Sequence, residues 1–335
     1  MEQGTLGELY LTRSVIKHIS KKNKNVIVGA AVGNDFAGLR SEGDFVCAEA
    51  VAENPCIAWV KAFNNLSVSG AEKIGARLVF LLPAYVQEPD IKEYMKCFHA
   101  LADKNDVQIM GGHSQVSSAY ARTSFCVMAY GKRDSLVKEN AKDHDKKEDN
   151  TSRHKIEKDC DIVMAGYAGC LGTRLIAEGK YNELAKHFSQ SYIDGFLSYN
   201  DDISIAAAAK LMAESDVCYM HDVSWGGVYG ALWQLGAAIK RGICIDNFKL
   251  PIRQETIEIC EYFNINPYLL DGTGALLGVF GDGQTAVKRL LEYKIPASVI
   301  GRVTADKGRV VMAGVDKRYL QPPAFDEIYK VIEAV

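Results

Sequence analysis

The stretch GARLVFLLPAYVQEPDIKEYMKCFHALADKNDVQIMGGHSQ, residues 75–115, contains the pattern that decides the fold class. Gly75–Leu82 is an apolar run that ends at a proline and predicts a strand. Apolar residues recur at helical spacing in Asp90–Lys104, so this segment predicts a helix. Val107–Met110 predicts a second short strand, which we expect to end at Gly111–Gly112. Strands that alternate with helices predict an α/β or α+β fold rather than a sandwich or a helical bundle.

The same alternation continues on both sides of this stretch. We predict further strands at Val26–Ala31, Asp44–Ala50, Thr123–Tyr130, Asp161–Ala165, Val217–Met220, Ala275–Phe280 and Ser298–Val303. We predict further helices at Cys56–Asn64, Ile203–Glu214, Ser224–Lys240, Thr256–Phe263 and Thr285–Tyr293, and a hairpin-like segment at Lys307–Ala313. The chain is therefore expected to be α/β along almost its whole length.

The composition changes sharply at one place, between Gly131 and Cys160. Charges of both signs are nearly balanced there and apolar periodicity is almost absent, which predicts a solvated linker. The 335 residues suffice for two domains at roughly 100–200 residues each. We predict an N-terminal domain at 1–135, a charged linker at 136–158 and a C-terminal domain at 159–335. An alternative is that the linker docks a protein partner.

Composition excludes several classes of protein. Hydrophobic residues make up 48% and charged residues 24%, so the chain is neither mainly disordered nor collagen-like. The net charge of −3 gives no overall basic field for nucleic acid or an anionic membrane. No apolar run approaches the roughly 20 residues of a membrane span, and the N-terminus is too mixed for a signal peptide. Nine cysteines without a C-x-x-C pair predict reduced thiols in the cytoplasm.

Several common motifs are absent or ambiguous. The sequence contains no P-loop, no H-E-x-x-H and no G-x-S-x-G. Gly281–Ala286 follows a predicted strand and precedes a helix, so NAD binding by a dehydrogenase is an alternative that needs testing. Gly166, Gly169 and Gly172 form a glycine-rich turn at a helix start, which would either cradle a phosphate or allow tight packing.

Four segments combine small residues with oxygen-bearing side chains at the predicted ends of elements. They are Gly33-Asn34-Asp35, Ala48-Glu49-Ala50, Asn64-Asn65 and Gly111-Gly112-His113-Ser114-Gln115. Element ends are where α/β folds place ligand sites. Oxygen ligands suit Mg²⁺ with phosphates, and glycines let backbone N–H groups approach phosphate oxygens. The pattern therefore predicts a phosphate site with a metal ion.

The order of these segments, followed by His221-Asp222-Val-Ser-Trp-Gly226-Gly227 and Gly272-Thr-Gly274, resembles the PurM-like (aminoimidazole ribonucleotide synthetase-related) superfamily. The superfamily includes thiamine monophosphate kinase, selenophosphate synthetase and the hydrogenase-maturation protein HypE. The stretches GYAGCLGT and ICEYFNINPY make the HypE-like branch the nearest. The resemblance covers the chain from about Gly7 to Ala313.

The resemblance implies an N-terminal α/β domain whose strands join those of a second copy in a dimer barrel, and a C-terminal α/β domain. It also implies ATP and Mg²⁺, with phosphoryl transfer that activates a small amide, carboxamide or amine substrate. The implied catalytic residues are His113, Ser114 and Asp222. The implied nucleotide-binding residues are Gly33, Asn34, Asp35, Asn64, Asn65, Gly111, Gly112 and Gln115. The implied metal ligands are Asp35, Glu49, Asn65 and Asp222.

The sequence departs from the superfamily pattern at three acids. Asn34, Asn65 and Gln115 stand where the family usually has carboxylates, and an amide offers a carbonyl oxygen without charge. The final DEIYKVIEAV lacks the cysteine that the carbamoyl dehydratase uses as acceptor, which argues against that reaction. The alternative function is therefore a catalytically degenerate protein that serves as a nucleotide-binding or scaffold module.

Each candidate residue also has a structural alternative. Asp35 would only cap its turn, and Glu49 would be a surface acid at a strand end. His113 would be a structural histidine that hydrogen-bonds a backbone carbonyl. Asp222 would cap the helix that follows Ser224.

Overall fold

A computed structural model describes residues 12, 26–28, 31–32, 36–41, 43–133, 156–197, 203–322 and 324–332. The chain divides into two compact units. Of the described residues, 26–28 and 36–133 belong to the first unit, and 12, 31–32 and 156–332 belong to the second. The predicted linker at 136–158 lies outside the described residues except for its last three positions, 156–158.

The first unit contains a mixed six-stranded sheet in the order β1-β2-β3-β6-β4-β5. Its strands are β1 (Val26–Val28), β2 (Ala37–Ser41), β3 (Gly43–Ala52), β4 (Glu72–Leu82), β5 (Gln108–Val116) and β6 (Ser124–Arg133). The described strand pairs are antiparallel except for β4 and β5, which run parallel. The parallel connection between β4 and β5 is made by helix α2 (Glu88–Asn105), as parallel strands require a crossover.

Helices α1 (Pro55–Ser67) and α2 cover one face of this sheet. Alternate residues of β4 are buried there, among them Leu78 and Phe80, because successive side chains of a strand point to opposite faces. Phe80 stacks on Phe98 of α2 with ring centroids 5.6 Å apart and meets Phe125 of β6 edge-on at 5.1 Å. The aromatic cluster therefore fixes the helices to the sheet.

Two further contacts hold this unit together. Arg133 and Asp44 form a buried ion pair, with Nε and Oδ2 3.7 Å apart, and Arg133 Nη1 also donates to the carbonyl oxygen of Ser69. At the other end of α1, the sulphur atoms of Cys56 and Cys97 lie 2.7 Å apart and connect α1 to α2. Arg133 therefore connects β6 to β3 and to the segment after α1, and the two cysteines connect the two helices.

The second unit contains a seven-stranded sheet in the order β13-β12-β9-β11-β7-β10-β8. Its strands are β7 (Asp161–Ala165), β8 (Tyr219–Val223), β9 (Gly242–Asp246), β10 (Ala275–Phe280), β11 (Ala297–Thr304), β12 (Arg309–Ala313) and β13 (Asp316–Tyr319). Its helices are α3 (Cys170–Gly179), α4 (Tyr181–Leu184), α5 (Gln190–Leu197), α6 (Ala206–Ala213), α7 (Gly227–Ala238), α8 (Gln254–Tyr262) and α9 (Gly283–Glu292). Short 3-10 turns follow at Asn247–Lys249, Pro267–Leu269 and Glu327–Lys330.

The central strands of the second sheet are buried on both faces. Every residue of β8 and β10 is buried, because α7 packs on one side and α6 and α9 pack on the other. Ile162 and Met164 of β7 join the large core under α7, whereas Val163 lies beneath the start of α9. This arrangement explains the continuous apolar runs in these strands.

The mixed α/β class is confirmed, and several predicted boundaries are corrected. The strand predicted at Val107–Met110 continues to Val116 through both glycines. The segment Lys307–Ala313 is not a hairpin by itself, because the turn follows Ala313 and joins β12 to β13. The helix predicted from Ser224 begins at Gly227, with Gly226 as its left-handed N-cap. The sequence prediction also missed β2 and β9.

The fold also bears on the dehydrogenase alternative. Strand β10, which precedes Gly281–Ala286, pairs antiparallel with both of its neighbours, whereas a dinucleotide-binding turn joins parallel strands. The dehydrogenase alternative is therefore not supported. None of the described helices has both the length and the apolar character of a membrane span.

Candidate functional site

The predicted site residues fall in three places. Gly33, Asn34 and Asp35 lie outside the described residues. Asp222 belongs to the second unit. The remaining candidates lie on α1, β3 and β5 of the first unit.

The side of the first sheet opposite α1 and α2, which we call the open face, carries several of these candidates; no described helix of this unit packs there. Its residues alternate along each strand with those buried under the helices. They include Leu39, Phe45, Cys47, Glu49, Val51, Arg77, Val79, Leu81, His113, Gln115, Cys126, Met128, Tyr130 and Lys132. Apart from Glu49 and Lys132, the face is mainly apolar across β2, β3 and β6, and it carries Arg77, His113 and Gln115 on β4 and β5.

Glu49 is the central carboxylate of the open face. It lies three residues before the end of β3, not at the strand end that the sequence suggested. Cys47 and Cys126 lie near it. Burial raises the pKa of both thiols, and the negative charge of Glu49 raises it further. Glu49 is exposed, so its carboxylate would attract a cation from solvent.

Asn64 and Asn65 lie in the last turns of α1, with Asn64 buried and Asn65 half-buried. Asn65 Nδ2 donates a hydrogen bond of 3.3 Å to the backbone oxygen of Glu49. The structure thus brings Asn65 to the backbone of β3, while the side chain of Glu49 points to the opposite, open face. The side-chain amide of Asn65 therefore connects α1 to β3.

The glycine pair in β5 has a structural role that the sequence did not reveal. Gly111 has φ of +124°, and the register between β4 and β5 shifts beside it. A Cβ atom on Gly112 would lie 1.7 Å from the carbonyl oxygen of Leu78. Both glycines are therefore needed for a strand irregularity, and they provide no independent evidence of phosphate binding.

The three polar residues after the glycines point to different sides of the sheet. His113 pairs with Val79 and Gln115 with Leu81, so both side chains belong to the open face. Ser114 pairs with Phe80 and points to the other side. No described residue hydrogen-bonds the ring of His113, which is exposed, so the structural-histidine alternative is not supported.

Arg77 is the residue of the open face that the sequence prediction missed. It stands on β4 between the buried residues Ala76 and Leu78, and its side chain is exposed. Strand spacings of about 4.8 Å place Glu49 and His113 roughly 15 Å apart, with Arg77 between their strands. Among the described residues no carboxylate oxygen lies within 4 Å of the Arg77 guanidinium. A charged residue in an alternating strand was the signal that would have found it.

The described donors do not make a metal site by themselves. No group of three or more His, Cys, Asp or Glu side chains within the described residues is arranged to hold an ion. Asp222 is buried in β8, opposite Leu276 of β10. It does not cap the following helix, whose N-cap is Gly226. Its predicted role as a metal ligand or catalytic acid stays a prediction.

The glycine-rich turn of the second unit is explained by packing. A Cβ atom on Gly166 would lie 2.6 Å from the oxygen of Gly274, and one on Gly172 would lie 2.4 Å from Leu270. The turn also lines a cavity of about 440 Å³ that contains Arg253 and Cys170. Burial raises the pKa of the Cys170 thiol to about 11, so it is a neutral thiol at pH 7.

Comparisons with known proteins agree with this architecture. The C-terminal domain of AIR synthase-related proteins matches residues 201–313. A putative hydrogenase expression/formation protein of Methanocaldococcus jannaschii is 23% identical over 278 residues, which cover 80% of this chain and 76% of that protein.

Two solved structures of HypE share the fold. HypE in its complex with HypF has a TM-score of 0.73 and 16% identity, covering 93% of this chain and 99% of that one. HypE in complex with ATP has a TM-score of 0.68 and 15% identity, covering 97% and 96% of the two chains. These similarities confirm the PurM-like two-domain fold predicted from the sequence, the fold of the HypE structures, and residues 201–313 match the C-terminal domain of AIR synthase-related proteins.

Proposed function

We propose that this protein is a HypE-like ATP-binding protein that uses ATP to phosphorylate a small amide, carboxamide or amine substrate. The observation that carries the proposal is the open face, on which Glu49, Arg77, His113 and Gln115 are presented together. The fold of a HypE structure that contains ATP covers nearly the whole chain and supports the same conclusion.

Arg77 and His113 are the residues that we propose for contact with phosphate. A guanidinium forms bidentate, charge-assisted hydrogen bonds with phosphate oxygens. Among the described residues Arg77 has no carboxylate partner within 4 Å, so binding a phosphate would not break an ion pair. His113 contacts the phosphate or the acceptor, and Gln115 adds an amide donor on the same side of β5.

Phosphoryl transfer consists mainly of positioning and charge neutralisation. In transfer to an amide, its oxygen forms a bond with the γ-phosphorus while the bond between that phosphorus and the β,γ-bridging oxygen breaks; ADP leaves, and the amide nitrogen releases a proton to solvent. The role of this chain is to hold the γ-phosphate and the acceptor in line, for which Arg77 and His113 lie on neighbouring strands. Mg²⁺ would neutralise the triphosphate, but no group of three or more His, Cys, Asp or Glu side chains among the described residues is arranged to hold it, so we assign no step to the ion.

Calorimetric titration with Mg-ATP tests this proposal. We expect saturable binding and a Kd about tenfold or more weaker for Arg77→Gln, since a charge-assisted contact is lost. Arg122→Gln is the matched control, because Arg122 is an exposed arginine whose Nη1 lies 3.6 Å from Glu53. Phosphate release with small carboxamides and amines then measures turnover. No binding at millimolar ATP would remove the proposal.

A second candidate is a nucleotide-binding or scaffold module without turnover. It is favoured by the amides Asn34, Asn65 and Gln115 in place of family acids, and by the engagement of Asn65 with the backbone of β3. This candidate predicts ATP binding without phosphate release. The variant Gln115→Glu, which adds a carboxylate to the open face, is expected to gain Mg²⁺ affinity; an unchanged affinity would show that this amide does not limit metal binding.

We also propose that the apolar half of the open face is covered by a second copy of the chain. Leu39, Phe45 and Val51 are all exposed there, on neighbouring strands. Sedimentation equilibrium is expected to show a dimer, and Phe45→Asp is expected to weaken it. A protein partner is a further proposal, since one of the similar solved structures is HypE in a complex with HypF.

A further inference from the structure

The second unit contains a cavity that the proposed function does not use. It has a volume of about 540 Å³, within the roughly 300–1,000 Å³ of typical small-molecule sites. Strands β12 and β13, the turn Pro267–Leu269 and residues 320–322, 324, 325 and 327 line it. We call it the tyrosine cavity, after Tyr229, Tyr268 and Tyr319 in its lining.

One wall of the tyrosine cavity is aromatic. Tyr229 of α7 and Tyr268 are stacked, with ring centroids 5.1 Å apart and an angle of 21° between the planes. Tyr229 donates its phenolic hydrogen to Asn247 Oδ1 at 2.7 Å, and burial raises its pKa to about 12, so the phenol stays neutral. The rings are therefore fixed in place and uncharged, which suits stacking with another flat ring.

The charge in this cavity is supplied by Arg318. It stands on the edge strand β13 and lines the cavity. Its positive charge lowers the pKa of Tyr229, against the larger effect of burial. No carboxylate oxygen of the described residues lies within 4 Å of its guanidinium. Glu327, the carboxylate in the same lining, is instead paired with Lys330 at 2.7 Å and accepts the backbone N–H of Asn266.

We propose that the tyrosine cavity binds a small molecule with a flat aromatic ring and a carboxylate. The ring packs against the tyrosine wall, and the carboxylate forms a bidentate pair with Arg318. Stacking alone would not distinguish an acid from its amide, whereas the guanidinium does so by charge. The proposal concerns residues of the second unit only and does not depend on ATP binding by the open face.

The test compares 2-naphthoate with 2-naphthamide, which share the ring and differ in charge. Ligand-observed saturation-transfer NMR and a chemical-shift titration of the full chain give the two dissociation constants. We expect the acid to bind saturably and about tenfold more tightly than the amide. Cyclohexanecarboxylate, which keeps the charge and lacks the aromatic ring, is expected to bind more weakly than the naphthoate.

Variants of β13 assign the selectivity to one residue. Arg318→Gln is expected to reduce the preference for the acid to less than about twofold, because it removes the charge and keeps a polar side chain. Lys317→Gln is the matched control: Lys317 is the adjacent cation on the same strand and does not line the cavity, and its Nζ lies 5.1 Å from the centre of the Tyr319 ring. It is expected to keep the full preference.

Three outcomes would overturn the proposal. They are no saturable binding of the acid up to about 10 mM, equal binding of acid and amide, and an unchanged preference in Arg318→Gln. None of them affects the titration with Mg-ATP and Arg77→Gln, so failure here is distinguishable from failure of the proposed function.

Discussion

The two sheets of this protein differ in how many of their faces are covered. In the first unit, helices α1 and α2 cover one side, and β4 alternates between buried and more exposed residues. In the second unit, β8 and β10 are buried along their entire length. A sheet covered on one side keeps a surface for ligands or a second copy, whereas a sheet covered on both sides must place its ligand sites at loops and edges.

The comparison also explains where the charges are found. The open face presents Glu49 and Arg77 in the middle of strands. The charge in the tyrosine cavity comes from Arg318 of β13, the strand at the edge of the second sheet. The following experiments test this contrast, from the largest expected effect to the smallest.

The largest effect is expected beneath the covered side of the first sheet. Asp44→Ala removes the buried carboxylate that pairs with Arg133 and should destabilise the protein by about 3–5 kcal/mol. Glu53→Ala is the control, because its ion pair with Arg122 is exposed and worth about 0–1 kcal/mol. Urea unfolding measures both. Equal effects would mean that the Asp44 pair is as solvated as the surface pair.

A matched pair of leucines compares the two sheets directly. Leu277→Ala in β10 removes a side chain with no exposed surface and should cost about 2–5 kcal/mol. Leu39→Ala on the open face, where the side chain is 49% exposed, should stay within about 0.5 kcal/mol at protein concentrations that keep the chain monomeric. A large loss for Leu39 in the monomer would contradict the open face.

A smaller effect is expected from glycine substitutions in the second unit. Gly172→Ala places a methyl group 2.4 Å from Leu270 Cγ and should destabilise by about 1–3 kcal/mol. Gly195→Ala in α5 has no atom within 4 Å of the new methyl group and should be neutral or stabilising by up to about 1 kcal/mol. Thermal unfolding separates the two. A harmless Gly172→Ala would show that the turn is not tightly packed.

The smallest expected change is in thiol reactivity. Burial raises the pKa of Cys260 to about 12, above its ordinary value of 9.0, so less thiolate is present at any given pH. Alkylation of the native protein at pH 8, followed by mass spectrometry, should label Cys47 and Cys126 on the open face before Cys170 and Cys260. Rates should rise with pH for all four. Protection of Cys47 and Cys126 that disappears on dilution would indicate a second copy on the open face.

Much of the fold was predictable because buried strands have a simple apolar pattern. Asp161–Ala165 and Ala275–Phe280 were predicted with their observed bounds, since each is a short apolar run between turn residues. The course of β5 was not predictable, because a glycine pair marks a strand end more often than a strand irregularity. Only the clearance around Leu78, which depends on the neighbouring strand, shows why glycine is required.

The candidate site was predictable only in part. The motifs identified Glu49 and His113, which share the open face. They did not identify Arg77, because the search was directed to polar residues at element ends rather than within strands. The tyrosine cavity was also missed, since Tyr229, Tyr268 and Arg318 are distant in sequence and only the packing of the second unit brings them together.

The contact between Cys56 and Cys97 has a consequence for handling the protein. Cys56 lies in the first turn of α1 and is exposed, so a reagent such as oxidised glutathione can reach it. Two such neighbouring thiols would form a disulfide bond between α1 and α2 when oxidised glutathione takes up their two hydrogens and is reduced. Samples prepared with and without a reductant would then differ in the rigidity of that helical layer and have to be assayed separately.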